Sequence, residues 1–475
     1  RLHIITRTVP NTYKNRIKRF RDSYLGNSAK SVYFGGRQSE FDLLNDWIND
    51  TNSPKNFLLT SPAGRGKTAL LVNWLKGIPL NWLICFMPIS IRYETNKPAI
   101  FFESLATQLA AILNVRLVSS EYNQTEYYKE KIAEYIEILE TSDLKVLIVI
   151  DGLDEAMGWE VNENLFSNGS NCNFRIVASA RVVSDKGVSC WLNQLGWQND
   201  KAQVMEVPLL SLGAVKELLL NTDKNPVESS QLESYAKQLL RLTSGEPLLL
   251  NLYITDLICS AQEGILTSIE NLSAIAPGFD AYFKKWMSDQ KAFNDGADFD
   301  ELIYTLLAAF SCAMGPVYLT ELEDLVSTIL GKPFYLEGDK LAPIQRFLIG
   351  DGINGGYTLS HPLFGFFLRE EYFKNNRRIE KIKGSILSWG KSVIFELESE
   401  KLAPEETPPY LIEYYSQHLN EENSSLDQFE ELLCNGWRKA HLMTGSRHLG
   451  FIQELEKVTS KANQEYDLHN LAKVG

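Results

Sequence analysis

Lys67 and Thr68 close the stretch Thr60-Ser61-Pro62-Ala63-Gly64-Arg65-Gly66-Lys67-Thr68, which follows the apolar Phe57-Leu58-Leu59 and leads into Ala69-Leu70-Leu71-Val72-Asn73-Trp74-Leu75. A cation and then a hydroxyl, placed behind two glycines at the start of a helix, suit a polyphosphate. Loop N–H groups and the positive end of the helix dipole converge on a β-phosphate, Lys67 bridges the β- and γ-phosphates, and the Thr68 hydroxyl ligates Mg²⁺. Gly64, Arg65, Gly66 and Ala69 complete the phosphate-binding set. The first position of the pattern, normally Gly, is Ser61, so the turn there must be one that a residue with a side chain can adopt.

A second group of reactive residues follows Val146-Leu147-Ile148-Val149-Ile150, namely Asp151-Gly152-Leu153-Asp154-Glu155. Asp151 is placed to hold Mg²⁺ directly or through water. Phosphate-loop enzymes often carry the acid that polarises the attacking water at the next position, which here is Gly152, so the base must be Asp154 or Glu155. Arg181, after Phe174-Arg175-Ile176-Val177-Ala178-Ser179, stands at the strand edge where ligands bind in parallel sheets and is a candidate γ-phosphate sensor.

These residues need a parallel sheet to bring them together, and the pattern supplies one. The run 146–150 is continuous and apolar, β-branched at all but Leu147, as in a strand buried on both faces. Trp82–Met87 reads as a further strand, 100–110 and 126–142 as helices, and 204–209 as the last strand. Alternating strands and helices predict an α/β three-layer domain. Ahead of it, Phe34-Gly35-Gly36-Arg37 with Ser39 as N-cap and Glu40 makes a loop that can close over a nucleotide base. From Leu210 the period is helical, interrupted by Ser244-Gly245-Glu246-Pro247, where Gly245 ends one helix and Pro247 fits the first turn of the next. Residues 301–370 read helix, helix, hairpin, with a Thr320/Glu323 capping box and a turn-rich 350–356, which is a winged-helix pattern. His361, alone among apolar residues, reads from its surroundings as a satisfied core histidine. The stretch 375–475 is helical with breaks at Pro404 and Pro408-Pro409.

Composition narrows the function. The net charge is −13, with 44% hydrophobic and 23% charged residues over 475 residues, which predicts several soluble domains and argues against a nucleic-acid surface. Residues 300–370 carry nine acids against four bases, so the winged helix lacks a phosphate-binding face. The six cysteines have no paired spacing and read as reduced core residues of a cytoplasmic protein. No apolar run reaches the length needed to span a bilayer. Residues 1–30 hold eight basic residues against Asp22 and read as a linker helix out of an N-terminal domain; the chain starts at Arg1 without Met, as a piece of something longer would.

In order and identity these motifs resemble the signal-transduction ATPases with numerous domains (STAND), especially the NACHT-like and apoptotic-ATPase-like branches. The matching pieces over 34–370 are Phe34-Gly35-Gly36-Arg37 with Glu40, Gly66-Lys67-Thr68, Asp151 to Glu155, Arg181, Gly245 with Pro247, and His361. The resemblance implies a basic linker at 1–33, a P-loop nucleotide-binding domain at 34–209, a helical domain at 210–299, a winged-helix domain at 300–372, and at 373–475 the start of an α-helical superhelical sensor. It implies that Arg37 takes part in nucleotide binding, that Pro247 lies against the adenine, and that His361 reaches the β-phosphate of ADP. It further implies an ATP/ADP-controlled signalling switch with slow Mg²⁺-dependent hydrolysis. In such a switch a protein trigger, in bacterial relatives a phage protein, drives exchange of ADP for ATP, homo-oligomerisation and activation of an N-terminal effector in antiviral defence. The competing expectations are a P-loop phosphotransferase, for which no lid is evident, and a ring-forming remodelling ATPase.

Overall fold

In a computed structural model, residues 11–26, 32–118, 124–156, 158–165, 171–182, 187–198, 200–222, 225–264, 267–293, 297–336, 340–353, 355–374, 377–443 and 447–474 are described. They form two compact units, Arg1–Trp286 and Met287–Gly475.

The first unit opens with α1 (Asn11–Leu25) and α2 (Gln38–Asn49). The α/β core follows as β1 (Asn56–Ser61), α3 (Lys67–Gly77), β2 (Trp82–Pro88), α4 (Pro98–Leu113), α5 (Gln124–Glu140), β3 (Lys145–Asp151), β4 (Phe174–Arg181), α6 (Val188–Gln194) and β5 (Ala202–Glu206). All strand pairs are parallel and the sheet order is β2-β3-β4-β1-β5. Every residue of β1 is buried, as are six of the seven in β3, so both faces of the central strands are covered by helices. This order decides the site. Because β4 lies between β3 and β1, with Ser61 in register with Arg181 and Ile150 with Ala178, the ends of the phosphate-loop strand, the acid-bearing strand and the arginine-bearing strand share one edge.

The helical remainder of the first unit is α7 (Leu212–Leu220), α8 (Leu232–Thr243), α9 (Pro247–Gln262), α10 (Ile269–Ser273) and the first half of α11 (Phe279–Phe293). Between α8 and α9 the chain reverses through Ser244 at φ 52° and Gly245 at φ 77°. A Cβ on Gly245 would stand 2.2 Å from the Leu210 carbonyl oxygen, whereas one on Gly264, also left-handed at φ 83°, would meet nothing within 4 Å. Gly245→Ala is therefore expected to destabilise the protein by about 2 kcal/mol or more, and Gly264→Ala by about 1 kcal/mol, the cost of the left-handed conformation alone. Equal melting temperatures for the two variants would refute the close approach.

The second unit contains α12 (Ala297–Cys312), α13 (Leu319–Leu330), a hairpin of β6 (Leu348–Ile349) and β7 (Thr358–Leu359), α14 (Pro362–Phe367), α15 (Arg378–Glu398), α16 (Pro409–Glu421), α17 (Leu426–Glu430), α18 (Asn435–Met443) and α19 (Arg447–Val474). A bridge between Val317 and Tyr357 widens the hairpin. The helix–helix–hairpin order read from the sequence is present, as are the breaks at Pro404 and Pro408-Pro409.

Several local expectations are corrected. The last strand lies two to three residues earlier than 204–209, because Pro208 has no N–H to give a ladder. The α2 cap position is Arg37, and the Ser39 hydroxyl donates to Glu40 at 2.9 Å instead. The cap at α13 is Tyr318 with Glu321, whose carboxylate accepts from Tyr318 N at 2.7 Å and from Tyr410 N at 2.7 Å; Glu323 accepts from Leu336 N. Glu321 is buried, and desolvation lifts its pKa to about 7 against those two hydrogen bonds. Cys85 and Cys312 are core residues, but Cys190 and Cys259 are exposed. Of the basic residues expected in a linker, Arg1, Arg7 and Lys30 lie outside the described residues. Among those described, no helix is long and apolar enough to cross a membrane.

Candidate nucleotide-binding site

The loop between β1 and α3 takes its shape from two glycines, Gly64 and Gly66, both at φ 86°. Ser61, in contrast, is the last residue of β1, fully buried and absent from the left-handed residues, so strand geometry accommodates the side chain found where Gly is usual. Its hydroxyl does further work as an acceptor. Lys67 Nζ donates to Ser61 O at 2.9 Å, Ser61 Oγ at 3.0 Å and Pro62 O at 3.2 Å. Burial pushes the Lys67 pKa down to about 8; attraction from Asp154, Asp151 and Glu155 opposes this, while Arg181 adds to it.

Asp151, at the end of β3, is 2% exposed. Ser179 Oγ donates to its Oδ1 at 2.5 Å and receives Gly152 N at 3.0 Å, and the Thr68 hydroxyl bonds the same carboxylate. Desolvation raises the Asp151 pKa to about 6 despite those hydrogen bonds. Gly152 cannot carry the acid that many phosphate-loop sites place there: it stands at φ 89°, and a Cβ would approach the Ile89 carbonyl oxygen to 2.6 Å. The acids are moved on to Asp154 and Glu155 in the following short 3₁₀ turn.

All four oxygens of those two acids have donors. Asp154 Oδ1 accepts from Arg181 N at 2.8 Å, and its Oδ2 pairs with Arg181 Nε at 3.0 Å. Glu155 Oε1 pairs with Arg181 Nη2 at 2.7 Å, and its Oε2 accepts from Ile91 N at 2.9 Å. The strand order predicted that Arg181 would reach this edge; that its guanidinium grips both candidate bases was not legible.

Arg37 is 4% exposed and serves the loop from behind. Its Nη1 donates to Glu40 Oε1 at 3.1 Å and Pro208 O at 3.0 Å, and its Nη2 to Arg65 O at 2.9 Å. Gly36, at φ 69°, lets this segment lie against α7, where a Cβ would meet Ala214 at 2.2 Å. Pro247 is the first residue of α9, and its neighbour Glu246 pairs with Arg65 Nε at 3.5 Å, so the Gly245-Glu246-Pro247 turn is tied to the phosphate loop. Ala69 lies in the first turn of α3. His361 belongs to the second unit, where it caps α14: its Nδ1 accepts from Leu363 N at 3.1 Å, which leaves the proton of the neutral ring on Nε2.

Sequence reasoning missed Ser179, Glu246 and the Ile91 amide. Ser179 had a signal, a hydroxyl inside an otherwise apolar strand; the Ile91 amide had none, since any residue supplies a backbone N–H. The donor set fits Mg²⁺ with a nucleotide. Thr68 and Asp151 offer hard oxygens side by side, and Lys67 is a part-buried cation at a glycine-shaped helix N-terminus. Thr68 and Asp151 would hold the metal, and Gly64 to Ala69 the phosphates.

Residues 39–181 match the family model described as Nephrocystin 3, N-terminal, a span that runs from α2 through the phosphate loop and the acids to Arg181. No curated protein matches the chain in sequence. Among solved structures, a signal-transduction ATPase with numerous domains carrying a tetratricopeptide repeat sensor, from Pyrococcus horikoshii, is similar at 15% identity and TM-score 0.42 over 92% of this chain. The chain spans 58% of the length of that protein. A Walker-type ATPase of Pyrococcus abyssi is similar at 13% identity and TM-score 0.33, over 71% of this chain and 96% of that one. The ORC1 protein of Aeropyrum pernix, solved in complex with DNA, is similar at 15% identity and TM-score 0.37, over 75% and 97%. By its sheet order, its phosphate loop and the acids and arginine at the shared edge, the α/β portion of the chain is a P-loop NTPase domain, followed by helical regions.

Proposed function

We propose that the chain is the nucleotide-binding portion of a STAND-class switch that binds ATP and ADP with Mg²⁺ and hydrolyses ATP slowly. The observation that carries this reading is the engagement of all four oxygens of Asp154 and Glu155, three of them by Arg181. An acid whose lone pairs are already used is a poor base. Arg181 has one guanidinium for two sets of acceptors, these carboxylates and an anionic γ-phosphate. Turning to the phosphate would free Asp154 Oδ2 and Glu155 Oε1, one oxygen of each acid, so that competence for hydrolysis depends on which nucleotide is bound. Mg²⁺ supplies charge neutralisation at the phosphate oxygens. Glu155 would then take one proton from the water whose oxygen bonds the γ-phosphorus as the bond to the β–γ bridging oxygen breaks, leaving ADP and phosphate. The finer parts of the reading rest on motif order: a protein trigger such as a phage protein, homo-oligomerisation, an N-terminal effector in cis, and a cytoplasmic role in defence.

Glu155 is held by one arginine nitrogen and one loop amide, whereas Asp154 is anchored at both oxygens on Arg181 itself. Glu155 is thus the more readily released. Glu155→Gln is expected to keep ATP affinity and lose hydrolysis by about a hundredfold or more, and Asp154→Asn to lose much less. Single-turnover hydrolysis with radiolabelled ATP measures both; the reverse ranking would make Asp154 the base.

A further inference from the structure

Helix α1 does not merely lead into the α/β domain; it is docked on it. Ile17 and Phe20 are buried, and the Phe20 ring lies 5.9 Å from that of Phe86 and 5.2 Å from that of Tyr93. The helix also packs along α3, the helix that begins at Lys67. Polar ties from Arg16 and Tyr24 land on one loop, residues 89–96, which leaves the end of β2. Arg16 Nη1 donates to Glu94 O at 2.8 Å and its Nη2 pairs with the Glu94 carboxylate at 3.0 Å. Arg92 Nη2 donates to the Tyr24 hydroxyl at 2.7 Å. The loop is closed on itself by Thr95 N to Ser90 O at 2.9 Å and Ser90 N to Thr95 Oγ1 at 3.0 Å. Glu94 stands at φ 53°, a left-handed conformation that a residue with a side chain keeps only when its surroundings hold it; its N–H donates to Ile91 O at 3.1 Å, and Arg16 grips its carbonyl and carboxylate. From its other side the same loop reaches the acids: Ile89 N donates to Asp151 O at 2.7 Å, and Ile91 N to Glu155 Oε2 at 2.9 Å.

We infer that Arg16 and Tyr24 are positioning residues for Glu155: docked α1 fixes the 89–96 loop, the loop presents the Ile91 amide, and that amide restrains the Glu155 carboxylate as a base. This rests on the reading of Glu155 given above. The amide occupies Glu155 Oε2 and ties the carboxylate to the loop, so that this oxygen is not open to a water proton, and undocking α1 should free it. Whatever precedes α1 in a longer chain would then act on hydrolysis by pulling on or releasing this helix, without touching the nucleotide.

The test uses the full chain carrying Arg16→Ala or, as the milder change, Tyr24→Phe, with hydrogen exchange over 89–96 and steady-state ATP hydrolysis as the two readouts. Exchange across the loop should quicken and kcat should rise two- to tenfold, roughly the worth of one hydrogen bond, with KM unchanged. Coupling is reciprocal, so Glu155→Ala should quicken exchange in 89–96 and in α1. Wild-type exchange over 89–96 in both α1 variants would overturn the proposal, and so would quickened exchange with unchanged kcat while Glu155→Ala abolishes hydrolysis. Quickened exchange in every variant with Glu155→Ala still hydrolysing normally would instead overturn the assignment of Glu155 as base, leaving the mechanical link standing.

Discussion

Lys67→Met loses ATP and ADP binding by about a hundredfold or more while raising the melting temperature of the protein measured without nucleotide. The two effects have one origin. The Lys67 ammonium is part-buried beside the loop carbonyls of Ser61 and Pro62, and desolvation lowers its pKa from 10.5 to about 8. Holding it protonated at pH 7 costs on the order of 2 kcal/mol after allowing for the water that screens it. The sign follows from proton counting. Because the folded-state value lies below that of the free amine, the unfolded chain binds more protons between pH 8 and pH 10.5. The penalty is therefore fully present below pH 8 and is relieved as pH rises through that window. Methionine removes the charge and keeps most of the volume, so the gain in stability is expected at pH 7 and should fade toward pH 10.5. Binding moves the other way, since charge-assisted hydrogen bonds to phosphate are worth roughly 1.5–3 kcal/mol each and Lys67 would make at least two. Isothermal titration calorimetry and thermal melts at pH 7 and pH 10 measure both. Unchanged affinity in the variant would show that Lys67 is not the phosphate cation.

What the sequence revealed and what it hid divide along a physical line. The strands β1, β3 and β4 were legible because burial on both faces demands continuous apolar runs, and a run of that kind has few other readings. The placement of Lys67, Thr68, Asp151 and Arg181 at one edge was legible because Asp151 and Arg181 end their strands and Lys67 and Thr68 open the helix that follows β1, where parallel topology gathers ligand-binding groups. The caps were less so. Ser39 and Thr320 satisfy the composition rule for an N-cap, yet the helices start earlier, at Gln38 and Leu319, where Arg37 is held by Pro208 and Arg65 before the one helix, and Glu321 in the first turn of the other accepts from Tyr318 N and Tyr410 N. Cys190 and Cys259 looked like core residues by neighbourhood and are exposed on α6 and α9, where apolar neighbours in sequence lie on other sides of the helix. His361 accepts from the Leu363 amide at the start of its own helix, a backbone contact that residue type does not announce. Contacts made by backbone, such as Ile91 N to Glu155, leave no mark on residue type at all.

Arg37→Ala is expected to lower the stability of the protein by about 3–5 kcal/mol and to weaken nucleotide binding, although its guanidinium is spent on protein acceptors. Three losses combine. Glu40, 6% exposed, keeps only the Ser39 hydroxyl and is left as a buried charge without its cation, the costly half of breaking a buried pair. The Pro208 carbonyl loses the same guanidinium as a donor. The Arg65 carbonyl, inside the phosphate loop, loses the brace that ties the loop to the segment before α2. Lysine would not rescue the variant, because a single ammonium cannot span three acceptors that a planar fork reaches together. Stability and binding can be separated by removing both charges. Arg37→Met with Glu40→Leu replaces the pair by apolar groups of similar size, a change that is often near neutral for folding. The double variant should therefore regain most of the lost stability in chemical denaturation, yet its affinity for ATP should stay low, since nothing in it holds the Arg65 carbonyl. If affinity returned together with stability, the brace on Arg65 would be dispensable and Arg37 would matter to the nucleotide only by keeping the domain folded.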